Sequence, residues 1–473
     1  MLYLNGNLAE AAGLPPAERE LVRELTEVFN RHASKNAEKR RYYEGHISLR
    51  EVNLGIALPK VFQGLEIGCS WGEKTVDVLA ARSMFDGFVG ASGQDAALMT
   101  EIMNQNRLKA EYMKACRDEL KYGCTFATLT RDGGSCRIRF HSPETASALW
   151  SGEKGRIECG MAIVDAAEDT RTGERKPTLV HLHTDDAVWE LRRERDDERW
   201  KAVRLPHVMG RPLMEPLVWN ATSAKPFGRS RLKEPVRRLI QAYVRTVANA
   251  TIGLEFSTSP QKYLLGVTDD QYEAVVDEKF RTYVGSILAA TTNPETGEKP
   301  SYGQLTQGTI EPHVQMMRLI STQFSAATGL SVTDVGVVND ANPTSSDAII
   351  AQTQSLILMA EQLNEGNGEG LYTISQMAQA IARNVHPDEL TDEEKDITAH
   401  FKNPSMPSIA STADAAIKIA ASRQGFAETD VYLEMVGFDQ ADIRRIKEQE
   451  LRARGRSLIE GVMEEPDNGE DLE

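Results

Sequence analysis

Cysteine is scarce. The chain of 473 residues carries five, Cys69, Cys116, Cys124, Cys136 and Cys159, odd in number, widely spaced and never as Cys-x-x-Cys. That spacing excludes a disulfide scaffold and a zinc ribbon and fits a reducing compartment. Long apolar runs are missing too, since none approaches the roughly 20 residues needed to span a bilayer. Met1-Leu2-Tyr3-Leu4 is followed at once by Asn5 and Gly6, which leaves no room for a secretory hydrophobic region. The expectation is a soluble intracellular protein. Net positive charge is also lacking: 54 Lys and Arg face 70 Asp and Glu, a balance of −16. So acidic a chain does not hold nucleic acid by bulk electrostatics, because phosphate binding needs a cationic surface. Neither Gly-x-Gly-x-x-Gly nor His-Glu-x-x-His occurs. With so few catalytic signatures, the sequence favours a structural or binding role over an enzyme, with no cofactor and no metal.

What is present is ordinary globular composition, 41% hydrophobic and 26% charged, with length for about three domains. Leu21, Leu25, Val28 and Phe29 make 16–43 an amphipathic helix. Helices are expected over 71–85 and 96–122, the latter closed by Gly123. The texture then turns to β, with short strand-like runs at 124–129, 136–140, 157–164, 178–183, 188–192 and 213–219. A long helix follows over 233–256, about 36 Å at 1.5 Å per residue. Its stripe is Val236, Leu239, Ile240, Tyr243, Val244 and Val247. An insert over 258–308 precedes another helix from near Thr309 to Gly329, with Val314, Met317 and Phe324 as its apolar side. A polar segment, 331–346, leads into a helix capped by Ser345 or Ser346 and interrupted over 366–370. A strand is expected at 397–401, charged helices over 411–461, and an acidic tail over 464–473. There is no internal repeat.

Three motifs invite chemistry. Gly68-Cys69-Ser70-Trp71-Gly72-Glu73-Lys74-Thr75 nearly spells a phosphate-binding loop, but Glu73 stands where glycine must let backbone N–H groups approach phosphate. A helix start at Trp71 is the plainer reading. His181-Leu182-His183 puts two imidazoles on one strand face with Asp185 and Asp186 nearby, yet no third metal ligand is set by spacing. Arg229, Arg231, Lys233, Arg237 and Arg238 gather at the start of the long helix, either as contacts to phosphate or a neighbouring subunit, or as a solvated face paired at i,i+4, as Glu234 to Arg238.

An ordered series of motifs carries a family resemblance. Trp71-Gly72-Glu73-Lys74-Thr75-Val76-Asp77-Val78-Leu79-Ala80-Ala81-Arg82 leads to Phe85-Asp86-Gly87-Phe88. Then come Pro226-Phe227-Gly228-Arg229-Ser230-Arg231-Leu232, Ser259-Pro260-Gln261-Lys262-Tyr263, Lys299-Pro300, Gln304, Glu311-Pro312-His313 and Asn342-Pro343-Thr344-Ser345-Ser346-Asp347-Ala348-Ile349. In this order, over roughly residues 20 to 420, the chain resembles the portal proteins of tailed bacteriophages, of the type in long-tailed phages of Gram-positive hosts. Ser331 departs from the pattern, since relatives often carry proline there.

The resemblance implies an α+β portal fold with wing, stem, clip and crown, in which long stem helices join a β-rich wing block. The wing would span 1–228, the stem helices 229–257 and 309–330, and the clip 258–308. The tunnel loop, tunnel helix and return to the wing would span 331–410, the crown 411–463 and the acidic tail 464–473. It implies a homo-oligomeric ring, expected to be a dodecamer, at the unique capsid vertex of the virion, assembled in host cytoplasm. Double-stranded DNA would pass through it non-specifically during packaging and ejection. The terminase large subunit would dock first, then head–tail connector or adaptor proteins, with major capsid and scaffolding proteins as further partners and no membrane. Val338, Asn339, Asp340, Asn342, Thr344 and Ser345 would face DNA in the tunnel loop, and Arg237, Arg238 and Arg245 would make stem or subunit contacts. The second reading is another capsid-associated protein, a minor head protein or adaptor.

Overall fold

The computed structural model describes residues 4, 6–48, 67–90, 97–168, 175–193, 199–258, 262–265, 297, 299, 301–304, 309–336, 346–405, 409–423, 425–438 and 440–463. The chain is mixed α+β and divides into two compact units. One comprises Met1–Lys39, Val76–Arg231 and Gln354–Glu473; the other comprises Arg40–Thr75 and Leu232–Thr353. No described helix is long and apolar enough to cross a membrane.

In chain order come α1 (Pro16–Tyr43), α2 (Trp71–Ala80), β1 (Phe85–Gly90), α3 (Ala97–Gln105) and α4 (Leu108–Tyr122). The β-rich block follows: β2 (Cys124–Asp132), β3 (Ser135–His141), β4 (Ala146–Ser151), β5 (Arg156–Glu168), β6 (Arg175–His183), β7 (Ala187–Arg192), β8 (Lys201–Pro206) and β9 (Met214–Val218). All its pairings are antiparallel, in a three-stranded sheet ordered β3-β2-β9 and a five-stranded meander β4-β5-β6-β7-β8. Strand alternation sends Met161, Val180, Leu182, Trp189 and Leu191 to one core, where they meet Val22, Leu25 and Phe29 at helical spacing on α1. A second core holds Cys124, Phe126, Ala146, Ala148, Ile157, Ala162 and Met214. Gly160 permits it, because a Cβ there would overlap the Met214 side chain.

The second unit centres on α5 (Glu234–Thr258) and α6 (Glu311–Thr328), which pack side by side. Between them in sequence, β10 (Lys262–Leu265) and β11 (Ser301–Gln304) pair antiparallel. Beyond them, α7 (Ser346–Arg383) runs from this unit into the first, followed by α8 (Asp392–Lys395), β12 (Ile397–Phe401), α9 (Ile409–Ser422), α10 (Asp430–Val436) and α11 (Gln440–Met463).

Three expectations are corrected. The helix expected over 71–85 ends at Ala80, and Phe85 opens β1, which pairs with β12 from Phe85↔Phe401 to Gly90↔Ile397. Phe85, Phe88, Tyr112 and Phe401 form an aromatic cluster with centroids 5.1 to 5.8 Å apart, and that burial outweighs local helix preference. The helix expected over 96–122 breaks at Arg107, which takes a left-handed conformation (φ 50). Asn106 holds the break, its side-chain amide donating to Cys136 O (2.8 Å) and its Oδ1 accepting from Ile138 N (2.9 Å). The interruption expected over 366–370 is absent, and α7 is continuous there. Gly370 sits where a Cβ would press on Leu217, so this glycine serves close packing against β9 instead of breaking the helix. Gly123 closes α4 as expected, with φ 113 and its N–H donating to Glu119 O.

Candidate functional site

The long helix pair carries the stem residues singled out by sequence. On α5 every fourth residue is buried, Val236, Ile240, Val244, Ala248 and Ile252, while Leu239, Tyr243 and Val247 are half-buried. On α6, Phe324 is buried with Ile320 and Thr328, and Val314 and Met317 are half-buried. Leu254, Met316 and Leu319 stay 47%, 46% and 52% exposed, so the pair keeps an apolar outer surface. Trp71 wedges between the helices, its ring centroid 4.1 Å from Tyr243 on α5 and 4.5 Å from Phe324 on α6. Trp71 thus joins the first half of α5 to the last turns of α6, while the antiparallel pairing of β10 with β11 links the end of α5 to the start of α6, so the two run antiparallel.

The three arginines differ in what they can reach. Arg237 donates to Leu232 O (2.6 Å) and stands 5.8 Å from the Tyr42 ring centroid, so it is engaged within its own unit. Arg238 is exposed and faces Glu234 at 3.3 Å, the i,i+4 pair anticipated by spacing. Water screens such a pair to a few tenths of a kcal/mol. Arg245 is half-buried and forms no ion pair among the described residues, which leaves its guanidinium available to an outside carboxylate.

The stretch that nearly spells a phosphate loop is an architectural joint. Helix α2 starts at Trp71. Gly72 lies where a Cβ would overlap the Tyr42 carbonyl oxygen, so only glycine lets the end of α1 approach the start of α2. The Lys74 ammonium donates to the Asp334 carbonyl, in a turn where Ser331 N (3.1 Å) and Ser331 Oγ (2.6 Å) both donate to Asp334 Oδ2. Proline at 331 would remove the first of those donors. Gly68-Cys69-Ser70-Trp71-Gly72 also spells Gly-x-Ser-x-Gly, but the Ser70 hydroxyl has no hydrogen-bond partner among the described residues.

Buried titratable groups lie elsewhere. Asn367 on α7 donates through Nδ2 to Tyr112 Oη (2.9 Å) and Glu119 Oε2 (2.8 Å) on α4, and Tyr112 shares a 2.7 Å hydrogen bond with Ser83. Burial raises the Glu119 carboxyl to about 8. Its Oε1 and Asn367 Oδ1 have no partner among the described residues, so a protonated carboxyl supplies the donor this pair lacks. No sequence signal marked these residues, because their partners lie far apart in the chain.

His183 of the His181-Leu182-His183 motif is fully buried, with neither ring nitrogen hydrogen-bonded among the described residues, and burial holds it well below the usual imidazole range. His181 sits 3.5 Å from Glu190, and burial likewise lowers its pKa. Among the described residues no group of three or more His, Cys, Asp or Glu is placed to hold a metal ion. All five cysteines are free and buried, and burial raises Cys69 to about 11 and Cys124, Cys136 and Cys159 to about 12, which keeps these thiols protonated. The loop residues Val338, Asn339, Asp340, Asn342, Thr344 and Ser345 lie outside the described residues.

A family model described as "Phage portal protein, SPP1 Gp6-like" matches residues 23–455. The portal protein of Mycobacterium phage D29 is 23% identical over 438 residues, covering 90% of this chain and 87% of that protein. That of Mycobacterium phage L5 is 23% identical over 456 residues, covering 94% and 91%. Among solved structures, a chain from the virion of a native gene transfer agent particle aligns with TM-score 0.45 and 10% identity, covering 78% of this chain and 89% of that one. One from the neck of the empty particle aligns with TM-score 0.46 and 9% identity, covering 78% and 90%.

Proposed function

The chain belongs to the SPP1 Gp6-like family of phage portal proteins, and from that premise we propose that it assembles as a ring at the unique capsid vertex and forms the channel through which double-stranded DNA is packaged and ejected. The observation that carries this reading is the family match over 23–455, which takes in the antiparallel pair α5–α6 and the insert between them. In this reading 1–228 is the wing, 229–257 and 309–330 are the stem helices, and 258–308 is the clip that docks terminase and later the head–tail connector. Residues 331–410 supply the tunnel loop and tunnel helix, and 411–463 the crown. A closed ring needs heterologous contacts, two different surfaces meeting at one rotation. Leu254, Met316, Leu319 and Arg245 provide apolar and cationic groups for such a contact on the helix pair. A chain of net charge −16 lets phosphate slide past without stalling, and sequence readers would hinder passage.

Negative-stain imaging of the purified protein tests the reading. Rings with a central hole of duplex width are expected, with Arg245→Glu reducing their yield. A protein that stays monomeric at every concentration and ionic strength would overturn it.

A further inference from the structure

A groove of about 540 Å³ opens in the first unit where the joint between α3 and α4 meets β3, β5 and β6. That volume suits a short ligand segment. Its lining includes Arg107, Arg137, Arg139 and Arg175 against Glu111 and Asp165. Four guanidiniums against two carboxylates is an inversion of local charge in a chain of net −16. All four arginines are exposed. Arg137 is paired with Asp132 across the β2–β3 turn. Arg107, Arg139 and Arg175 form no ion pair or side-chain hydrogen bond among the described residues, despite the abundance of carboxylates.

The groove is built in advance. Asn106 is bonded to the backbone of β3 on both sides of Arg137. Arg107 next to it is held in the left-handed conformation that opens α4. Arg137 and Arg139 are two apart on β3, so strand alternation puts them on one face, opposite the buried Cys136. The backbone carrying these arginines is thereby set, and their guanidiniums offer paired donors to a planar anion.

We propose that this groove is a docking site for a carboxylate-rich peptide segment of a partner protein, with its carboxylates on Arg107, Arg139 and Arg175. This inference goes beyond the portal reading and does not depend on it. A concave groove fits a peptide better than a duplex, which is convex and carries a charge every 1.7 Å or so. Glu111 and Asp165 repel a uniform polyanion but accommodate carboxylates set at intervals. The overall negative charge also acts against a long polyanion more than against a short peptide.

The test is fluorescence anisotropy on the full chain with a labelled octapeptide, Glu-Asp-Leu-Glu-Glu-Asp-Leu-Glu, beside a short labelled DNA duplex. The peptide should bind, weaken as salt rises, and lose roughly tenfold in affinity in Arg139→Glu/Arg175→Glu. Arg139→Gln/Arg175→Gln should lose less, with the melting temperature unchanged in both because the two side chains are exposed. Lack of peptide binding, an unchanged affinity in both double variants, or a duplex that binds more tightly with the same arginine dependence would each overturn the proposal.

Discussion

Glu119 is a residue whose ionisation is set by its surroundings. Its carboxyl is raised from 4.5 to about 8 by burial, and the hydrogen bond from Asn367 only partly opposes this. The folded state therefore holds a proton that the unfolded state releases above pH 4.5. This group leaves stability undiminished below that pH, lowers it progressively up to about pH 8, and is constant above. Glu119→Gln keeps the shape and removes the titration. Its stability advantage over the parent should grow from about pH 5 to pH 8, reaching on the order of a few kcal/mol, as read by thermal denaturation across pH. The histidines act with the opposite sign. Burial lowers His183 and brings His141 to about 4, with the neighbouring His181 and Arg139 adding repulsion at His141. The folded state resists protons that the unfolded state accepts, so stability is full above pH 6.5 and is lost as pH falls from 6.5 toward 4. His183→Leu should make that decline shallower in the same measurement, and a slope identical to the parent's would refute the assignment.

Among the elements, the α1–α2 joint depends most on one position. Gly72 has no room for a Cβ beside the Tyr42 carbonyl, whereas no described residue stands within 4 Å of a Cβ at Gly68. In an exposed helix, glycine to alanine would be stabilising by up to about 1 kcal/mol. Here Gly72→Ala should instead cost more than about 3 kcal/mol, because rigid backbone must move. Gly68→Ala should lie within about 0.5 kcal/mol of the parent. Denaturant unfolding of the two variants compares them directly; equal midpoints would show that the joint can relax. The series Trp71 to Arg82 was legible as a helix start and as part of a family pattern. The role of Trp71 as a wedge was not, since Tyr243 and Phe324 are distant in sequence. The helix break at Arg107 was equally hidden, because its cause is Asn106 bonding to a strand that begins only at Ser135.

At the scale of the whole molecule, the proposed function rests on repetition of one chain around a channel. The segment Val338 to Ser345 holds Asn339, Asp340 and Asn342 and no lysine or arginine, which suits weak, transient contact with a passing duplex. Placing cations there should convert sliding into holding, since each neutralised phosphate adds salt-dependent affinity. Asn339→Arg/Asn342→Arg should slow or block packaging in a reconstituted assay while leaving ring formation intact. Normal packaging by that variant would remove the loop from the channel wall.

Periodicity determined most of the helices and strands and the two long helices flanking an insert, and an ordered series of motifs carried a family resemblance that the family match upholds. These signals are local, because apolar residues repeat at the spacing of the element that buries them. Tertiary structure decided what local signals cannot carry: the pairing of Phe85 with Phe401, the continuity of α7 through its glycines, the engagement of Arg237 against Tyr42, and the elevated proton affinity of Glu119. Each depends on which distant side chains exclude water from the same place, and only the folded chain brings those side chains together.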